Sequence, residues 1–292
     1  MSMPSIPPTN SQHKPSLDVQ RQIRESLGLP PVQEVKPTLA MEGHVCEFPF
    51  WSFSKRRTNI TQLFIRYDDG SCLVIRAFLG MPGTRFPGYM DVILHQAQRD
   101  LFANNTVHIS VYSILQTLGI PTNNGRNYER FTRDIERAFV LALATDRFRN
   151  PETGMRSHVL HFRIFSTMSL AKNRREISAF TFNEVFMASL RSGYVKRLDW
   201  DFCLWLDREQ KALARFFYGH LMKRIGEKSL YPRNLLGFLR DCGLGYIADL
   251  EPYRRNVKLN ETVYPALDLL KGYALRSYEA QNQHLNHEPQ TA

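Results

Sequence analysis

An α+β fold made of two tandem units, each a helix-turn-helix joined to β-strands, is what this 292-residue sequence predicts. Three observations carry that expectation. Residues 110–149 read as helix, turn, helix and then strand; a turn followed by a basic helix returns near Arg254; and runs rich in β-branched and aromatic residues flank the first motif. A helix-turn-helix backed by a β-hairpin is a winged helix, so the expected architecture is two tandem winged-helix domains behind a disordered N-terminal tail.

That tail is expected over residues 1–44, which are rich in Pro, Ser, Gln and Thr and show apolar periodicity only around Leu17 to Leu29. A solubilising tail and a partner-binding segment are the two readings of it. The first domain is expected over residues 45–172. Phe48, Phe50, Trp51 and Phe53 crowd together there and pack, while Lys55, Arg56 and Arg57 just beyond stay in water. Residues 63–67 and 72–78 flank Asp68, Asp69 and Gly70, a hairpin signal. Residues 91–102 carry Val92, Ile93, Leu94, Leu101 and Phe102 and read as the first helix of the domain.

Ser110 is placed to cap the next helix, whose Val111, Ile114, Leu115 and Leu118 recur at three- and four-residue spacing. Gly119 ends it, Pro121, Thr122, Asn123 and Asn124 supply the turn, and a second helix opens at Gly125 and runs to about Ala144. On that helix Tyr128, Phe131, Ile135 and Ala138 stack on one side and pack inward. Arg126, Arg130, Arg133 and Arg137 step by four, three and four on another side, and Arg126 lies about 200° round the axis from Tyr128 at roughly 100° per residue. Guanidinium forks on a rigid rod suit a major groove, where they hydrogen-bond phosphate oxygens or O6 and N7 of guanine. Glu129, Asp134 and Glu136 share the helix and leave residues 126–137 with one net positive charge (4 − 3), so an ordinary salt-bridged surface is the competing reading.

The polar loop at residues 147–156 and the alternating run SHVLHFRIF at 157–165 occupy the place of a wing, with Arg147, Arg149 and Arg156 set either along a phosphate backbone or on a plain solvated hairpin. Lys172, Arg174 and Arg175 form a second basic cluster. The second domain is expected over residues 173–280: it opens on the strand-like ISAFTF, continues into a long helix from about Arg208 to Ile225, and presents a basic helix from about Leu250 with Arg254, Arg255 and Lys258. Pro265 is expected to kink or divide that helix, and residues 281–292 form a polar tail. The two basic helices lie 128 residues apart (254 − 126), and two such units suit successive major grooves about one turn apart.

Composition narrows the function class. Lys plus Arg exceed Asp plus Glu by ten (38 − 28) and the pI is about 9.6, which favours a polyanionic partner, nucleic acid ahead of a membrane surface. The longest apolar run, residues 138–144, is far below the roughly 20 residues of a spanning helix, and no signal segment begins the chain, so a cytoplasmic location is expected. Cys46, Cys72, Cys203 and Cys242 are widely separated, and His158 and His161 fit a strand beside a loop better than a ligand pair, so no metal and no cofactor are expected. The sequence has neither a phosphate-loop motif nor the His-apolar-His element of a rolling-circle nuclease, and no catalytic residue is assigned.

The runs FPFWSFSKRRT with the hairpin after it, GRNYERF through ALAT, ISAFTFNEVFMASLRSGYVKRLD and YPALDLLKGY together resemble plasmid replication initiator proteins of the RepA type, over residues 48–273. The likeness extends more distantly to the initiators of broad-host-range plasmids. It implies tandem winged helices that bind repeated origin sites, the iterons, with melting of an A·T-rich element. It also implies recruitment of the host replication initiator and replicative helicase, and a homodimer that represses its own gene. By position, the GRNYER helix corresponds to the recognition helix of the first unit and residues 250–259 to that of the second. The expected DNA contacts are therefore Arg126, Asn127, Arg130, Arg133 and Arg137, the loop residues Arg147, Arg149 and Arg156, and Arg254, Arg255 and Lys258. A winged-helix transcriptional repressor without a replication role is the alternative, since both functions need the same groove contacts.

Overall fold

The computed structural model describes residues 37–43, 46, 48–53, 59–67, 70–147, 160–192, 195–225 and 234–285. In chain order its elements are β1 (Thr38–Glu42), β2 (Gln62–Arg66), β3 (Cys72–Arg76), α1 (Phe86–Arg99), β4 (Thr106–Ser110), α2 (Val111–Thr117), α3 (Gly125–Val140), β5 (Ala142–Thr145), β6 (Leu160–Phe162), β7 (Phe165–Ser169) and β8 (Ile177–Phe182). They continue as α4 (Glu184–Arg191), β9 (Val195–Asp199), α5 (Trp200–Arg208), α6 (Ala212–Ile225), α7 (Leu235–Asp241), α8 (Gly245–Ala248), α9 (Pro252–Lys258), a π-turn (Leu259–Val263) and α10 (Tyr264–Leu285).

Local chemistry sets the helix starts. The Ser110 hydroxyl accepts the Ser113 N–H at 3.1 Å, the Asn124 side-chain oxygen accepts the Arg126 N–H at 3.0 Å, and the Asp199 carboxylate accepts the Phe202 N–H at 2.9 Å. After α2 the chain turns at Gly119, whose φ of +65° is open to glycine and strained for other residues. The second helix of the motif ends at Val140, short of the expected Ala144. Residues 142–145 have high helix propensity, yet they pair with β3 from Leu73↔Thr145 to Arg76↔Ala142 and bury Leu143 and Thr145, so tertiary pairing overrides local preference.

Two antiparallel sheets organise the first half. In a three-stranded sheet of order β4-β8-β7, Val107 opposes Phe180, which opposes Met168 in turn. Three helices precede its hairpin, giving the chain order α1-β4-α2-α3-β7-β8, and Phe131 of α3 meets Phe180 of the sheet at 6.3 Å between ring centroids. A four-stranded sheet, β2-β3-β5-β6, holds the expected hairpin of β2 and β3 together with β5 and β6, which are inserted between α3 and β7.

These pairings move several boundaries. ISAFTF, expected to open the second domain, is the central strand β8 of the first sheet, so a boundary at residues 172/173 falls inside the β7–β8 hairpin. The strand expected at 157–165 contributes Leu160–Phe162 to the other sheet. The N-terminal tail expected through residue 44 contains β1, which pairs with β9 and buries Leu39, Ala40 and Met41; residues 1–36 lie outside the described residues. Helix α10 reaches Leu285, beyond the expected start of the C-terminal tail, and residues 286–292 lie outside the described residues.

The internal repeat is also shorter than expected. The order α4-β9-α5-α6 reproduces α1-β4-α2-α3: Ser110 ends β4 and caps α2, Asp199 ends β9 and caps α5, an offset of 89 residues (199 − 110). At that offset the buried Val111, Ile114 and Leu115 match the buried Trp200, Cys203 and Leu204. The third helices differ, because residues 212–220 of α6 are all buried while α3 keeps one wet face. Among the described residues no strand follows Asp199, and α9, expected as the second recognition helix, runs through the π-turn into α10. Pro265, the second residue of α10, has no N–H for the carbonyl four residues back, and the helix is divided just before it.

A buried ionic group ties the repeats together. Arg215 of α6 donates from Nε and Nη2 to one oxygen of Asp91 on α1 at 2.8 and 2.5 Å, and the buried Asp207 carboxyl of α5 joins the group. Burial raises both, Asp207 well above the carboxylate range with Asp91 adding to the rise, while Arg215 opposes the rise at Asp91. Asp207, buried beside the Asp91 charge, favours its protonated form. It is ionised in the unfolded chain, so folding takes up a proton and stability falls as pH rises above the unfolded carboxylate value, by up to about 1.4 kcal/mol per pH unit until the folded value is passed. Asp207→Asn removes this titration and is expected to flatten the decline of Tm as pH rises above the unfolded carboxylate value. An unchanged slope in thermal melts would rule out a protonated Asp207.

Candidate nucleic-acid interface

Helix α3 presents two sides that its 3.6-residue period separates. Tyr128, Phe131, Asp134, Ile135 and Ala138 are buried, with Phe131 and Ile135 fully so, and the Tyr89 ring meets that of Phe131 at 4.9 Å. Arg126, Glu129, Arg130, Arg133 and Glu136 are exposed. Of the three acidic residues expected to offset the arginines, Asp134 is turned inward, where its carboxylate accepts the Gly83 N–H at 2.9 Å and burial raises its pKa. Among the described residues, no ion pair joins Arg126, Arg130 or Arg133 to Glu129 or Glu136, or to any other acid. The salt-bridged reading of the stripe is thus not what the geometry shows: three guanidinium groups face solvent along one rod.

The other expected contacts on α3 have structural tasks. Arg137 is half-buried and reaches the Met81 carbonyl at 3.5 Å, and the Asn127 amide donates to the Pro121 carbonyl at 2.8 Å, closing the turn between α2 and α3. Arg147 is a correction. It is 8% exposed, lies 3.8 Å from the centroid of the Tyr67 ring and donates to the Ser71 hydroxyl at 3.1 Å, so its guanidinium is engaged in fastening the four-stranded sheet. Arg149 and Arg156 lie outside the described residues.

The basic group beside α3 comes from the β7–β8 hairpin. Lys172, Asn173, Arg174 and Arg175 sit exposed at its tip, next to the α2–α3 turn, and a cleft between them is lined by Tyr112, Thr122, Asn123, Tyr128, Asn173, Arg174 and Arg175. The tip is pinned: the Tyr112 N–H donates to the Arg174 carbonyl at 3.1 Å, and the Asn173 side chain accepts the Arg175 N–H at 3.2 Å. Sequence reading noted these cations without assigning them to the interface. The available signal was their position between two runs, FSTMS and ISAFTF, that pair as a hairpin.

No family model matches the sequence, and no curated protein matches it. A selenomethionine derivative of domains 2 and 3 of RctB is similar in structure, with a TM-score of 0.52 and 12% identity over 76% of this chain and 85% of that one. The chain shares the fold of RctB domains 2 and 3. A second structure of RctB domains 2-3 aligns with a TM-score of 0.47 and 11% identity over 76% of this chain and 82% of that one.

In this RctB-like fold the second expected recognition helix, α9, has a different setting from α3. None of its residues is buried; Arg254 is exposed, Arg255 donates to the Ala248 carbonyl at 3.3 Å, and Lys258 lies 3.8 Å from the Glu261 carboxylate. Among the described residues no group of three or more His, Cys, Asp or Glu side chains could hold a metal ion, and no helix is long and apolar enough to cross a membrane.

The two sides of α3 make separable predictions. Phe131→Ala and Ile135→Ala each leave a cavity in the core and are expected to cost about 2–5 kcal/mol in chemical denaturation. Arg130→Ala and Arg133→Ala, which remove no buried contact, are expected to stay within about 0.5 kcal/mol of wild type. Equal losses on both sides would show that the inner and outer faces have been misassigned.

Proposed function

We propose that this chain is a sequence-specific double-stranded DNA-binding protein that initiates plasmid replication. Elements α1, β4, α2, α3, β7 and β8 form its winged helix. In this reading α3 enters a major groove and the β7–β8 hairpin is the wing, lying along the neighbouring backbone. The observation that carries the reading is the row of unpaired guanidinium groups at Arg126, Arg130 and Arg133, beginning next to the hairpin tip with Lys172, Arg174 and Arg175. The net charge of +10 supports it. The resemblance to RepA-type initiators favours replication over transcription alone. It names the origin repeats as the site, an A·T-rich element as the segment melted, the host initiator and replicative helicase as partners, and a homodimer as the repressing form. The work proposed is binding and deformation of DNA inside the cell, with no covalent step assigned to the chain.

Arg130→Ala and Arg133→Ala are each expected to weaken binding to the origin repeats by about 1–3 kcal/mol if the side chain reads a base edge. Wild-type affinity in both, with unchanged circular dichroism, would remove α3 from the interface. Supplying the protein in trans to a replicon that carries its origin but lacks the gene then separates the two functions: maintenance supports an initiator, and promoter repression without maintenance supports the repressor.

The second basic helix has a smaller proposed part. Arg254 is the exposed and unengaged cation of its three, so Arg254→Ala is expected to flatten the slope of log affinity against log salt by about one, the change for one phosphate contact. Arg255→Ala and Lys258→Ala are expected to change it less. Slopes equal to wild type in all three would leave α9 off the DNA.

A further inference from the structure

The wing arginines are seated on aromatic rings. The Arg174 guanidinium carbon lies 4.4 Å from the centroid of the Tyr128 ring on α3, and that of Arg175 lies 5.4 Å from the Tyr112 ring on α2. Neither guanidinium forms an ion pair among the described residues. A guanidinium that rests its face on a ring keeps its in-plane N–H donors free, and the rings fix where those donors sit. The main chain below is held as well, by the Tyr112 N–H on the Arg174 carbonyl at 3.1 Å and by the Glu176 N–H on the Asn173 carbonyl at 3.1 Å. Gly125 adds a steric condition, because a Cβ there would stand 3.3 Å from Arg174 Nη2. Both cations therefore border the cleft opposite Thr122 and Asn123 in positions set before any ligand arrives.

From this we infer that Tyr112 and Tyr128 are positioning residues, which hold Arg174 and Arg175 as a preformed clamp on the backbone phosphates of a DNA strand passing between the wing and the α2–α3 turn. The inference rests on the winged-helix reading above and adds two uncharged residues to its interface. A side chain already held in place loses less freedom when it binds, so the rings raise affinity without touching DNA.

The test is a salt titration of binding by the full-length protein to a short mixed-sequence duplex, since phosphate contacts are independent of sequence. Arg174→Ala with Arg175→Ala should make the slope of log affinity against log salt shallower by about two. Tyr112→Leu with Tyr128→Leu leaves the net charge unchanged, yet should flatten the slope in the same direction, and Tyr112→Phe with Tyr128→Phe should restore it because the ring faces remain. Tyr128 is buried, so thermal melts accompany these variants. Should Tyr128→Leu unfold the protein, Tyr112→Leu alone, at the half-buried ring under Arg175, carries the test with an expected change of about one. A wild-type slope in the folded Leu variants overturns the clamp, while a loss in the arginine pair still supports DNA binding by the wing. A wild-type slope in the arginine pair, with binding lost in Arg130→Ala and Arg133→Ala, overturns the clamp and leaves α3 as the reader. Wild-type binding in every variant overturns both.

Discussion

The candidate interface depends on one constraint: a helix that buries Tyr128, Phe131 and Ile135 must turn Arg126, Arg130 and Arg133 away from the core. Phe131 holds the helix against Tyr89 of α1 and Phe180 of β8, so the outward row is aimed by two neighbouring elements. Asp134 supplies the polar fixing point. A Cβ on Gly83 would stand 2.9 Å from its carboxylate oxygens, and the space glycine leaves lets that carboxylate take the Gly83 N–H. Asp134 is thus held on the inner side of the helix by this backbone contact.

The chain between α3 and β7 explains why Arg147, the next arginine after the helix, lies away from it. β5 and β6 leave the three-helix unit and complete a sheet with β2 and β3. Arg147, at the end of β5, is drawn under Tyr67 and Ser71 to close that sheet, while the Asp146 carboxylate accepts the Cys72 N–H at 2.8 Å. The hairpin that returns to α3 is the next one along. Its cations replace Arg147 beside the helix because strand pairing, and not proximity in sequence, decides what lies next to α3.

Repetition of the helix-strand-helix-helix order raises the question of why one copy keeps a wet basic helix and the other does not. In the second copy α6 carries Phe216 and Phe217, with Trp51 at 5.6 Å and Phe53 at 4.9 Å from the Phe216 ring and Phe238 at 4.9 Å from the Phe217 ring. A helix surrounded on this scale has no groove-facing side. Its one cation in the buried stretch, Arg215, is spent on Asp91, where the charge is compensated and the two copies are joined. The second copy thereby contacts the first through α1, whose Tyr89 also packs against α3.

The sequence by itself determined the helix-turn-helix at residues 110–140, because Ser110, Gly119 and Asn124 act on their own immediate backbone and because three- and four-residue spacing separates a Phe131 side from an Arg130 side in any helix. It determined the β2–β3 hairpin for the same local reason, through the turn at Gly70. Only the tertiary structure decided that ISAFTF belongs to the first sheet, that residues 142–145 leave a helix-favouring run to become a strand, and that β1 is supplied by a polar leader to pair with β9. Each of these is a long-range strand pairing, and strand identity is set by the partner that completes the hydrogen bonds. The same holds for the cations. Counting charges could not distinguish Arg147, buried under a tyrosine, from Arg174, seated on one at the surface, because the difference lies in what the rest of the chain places around each guanidinium.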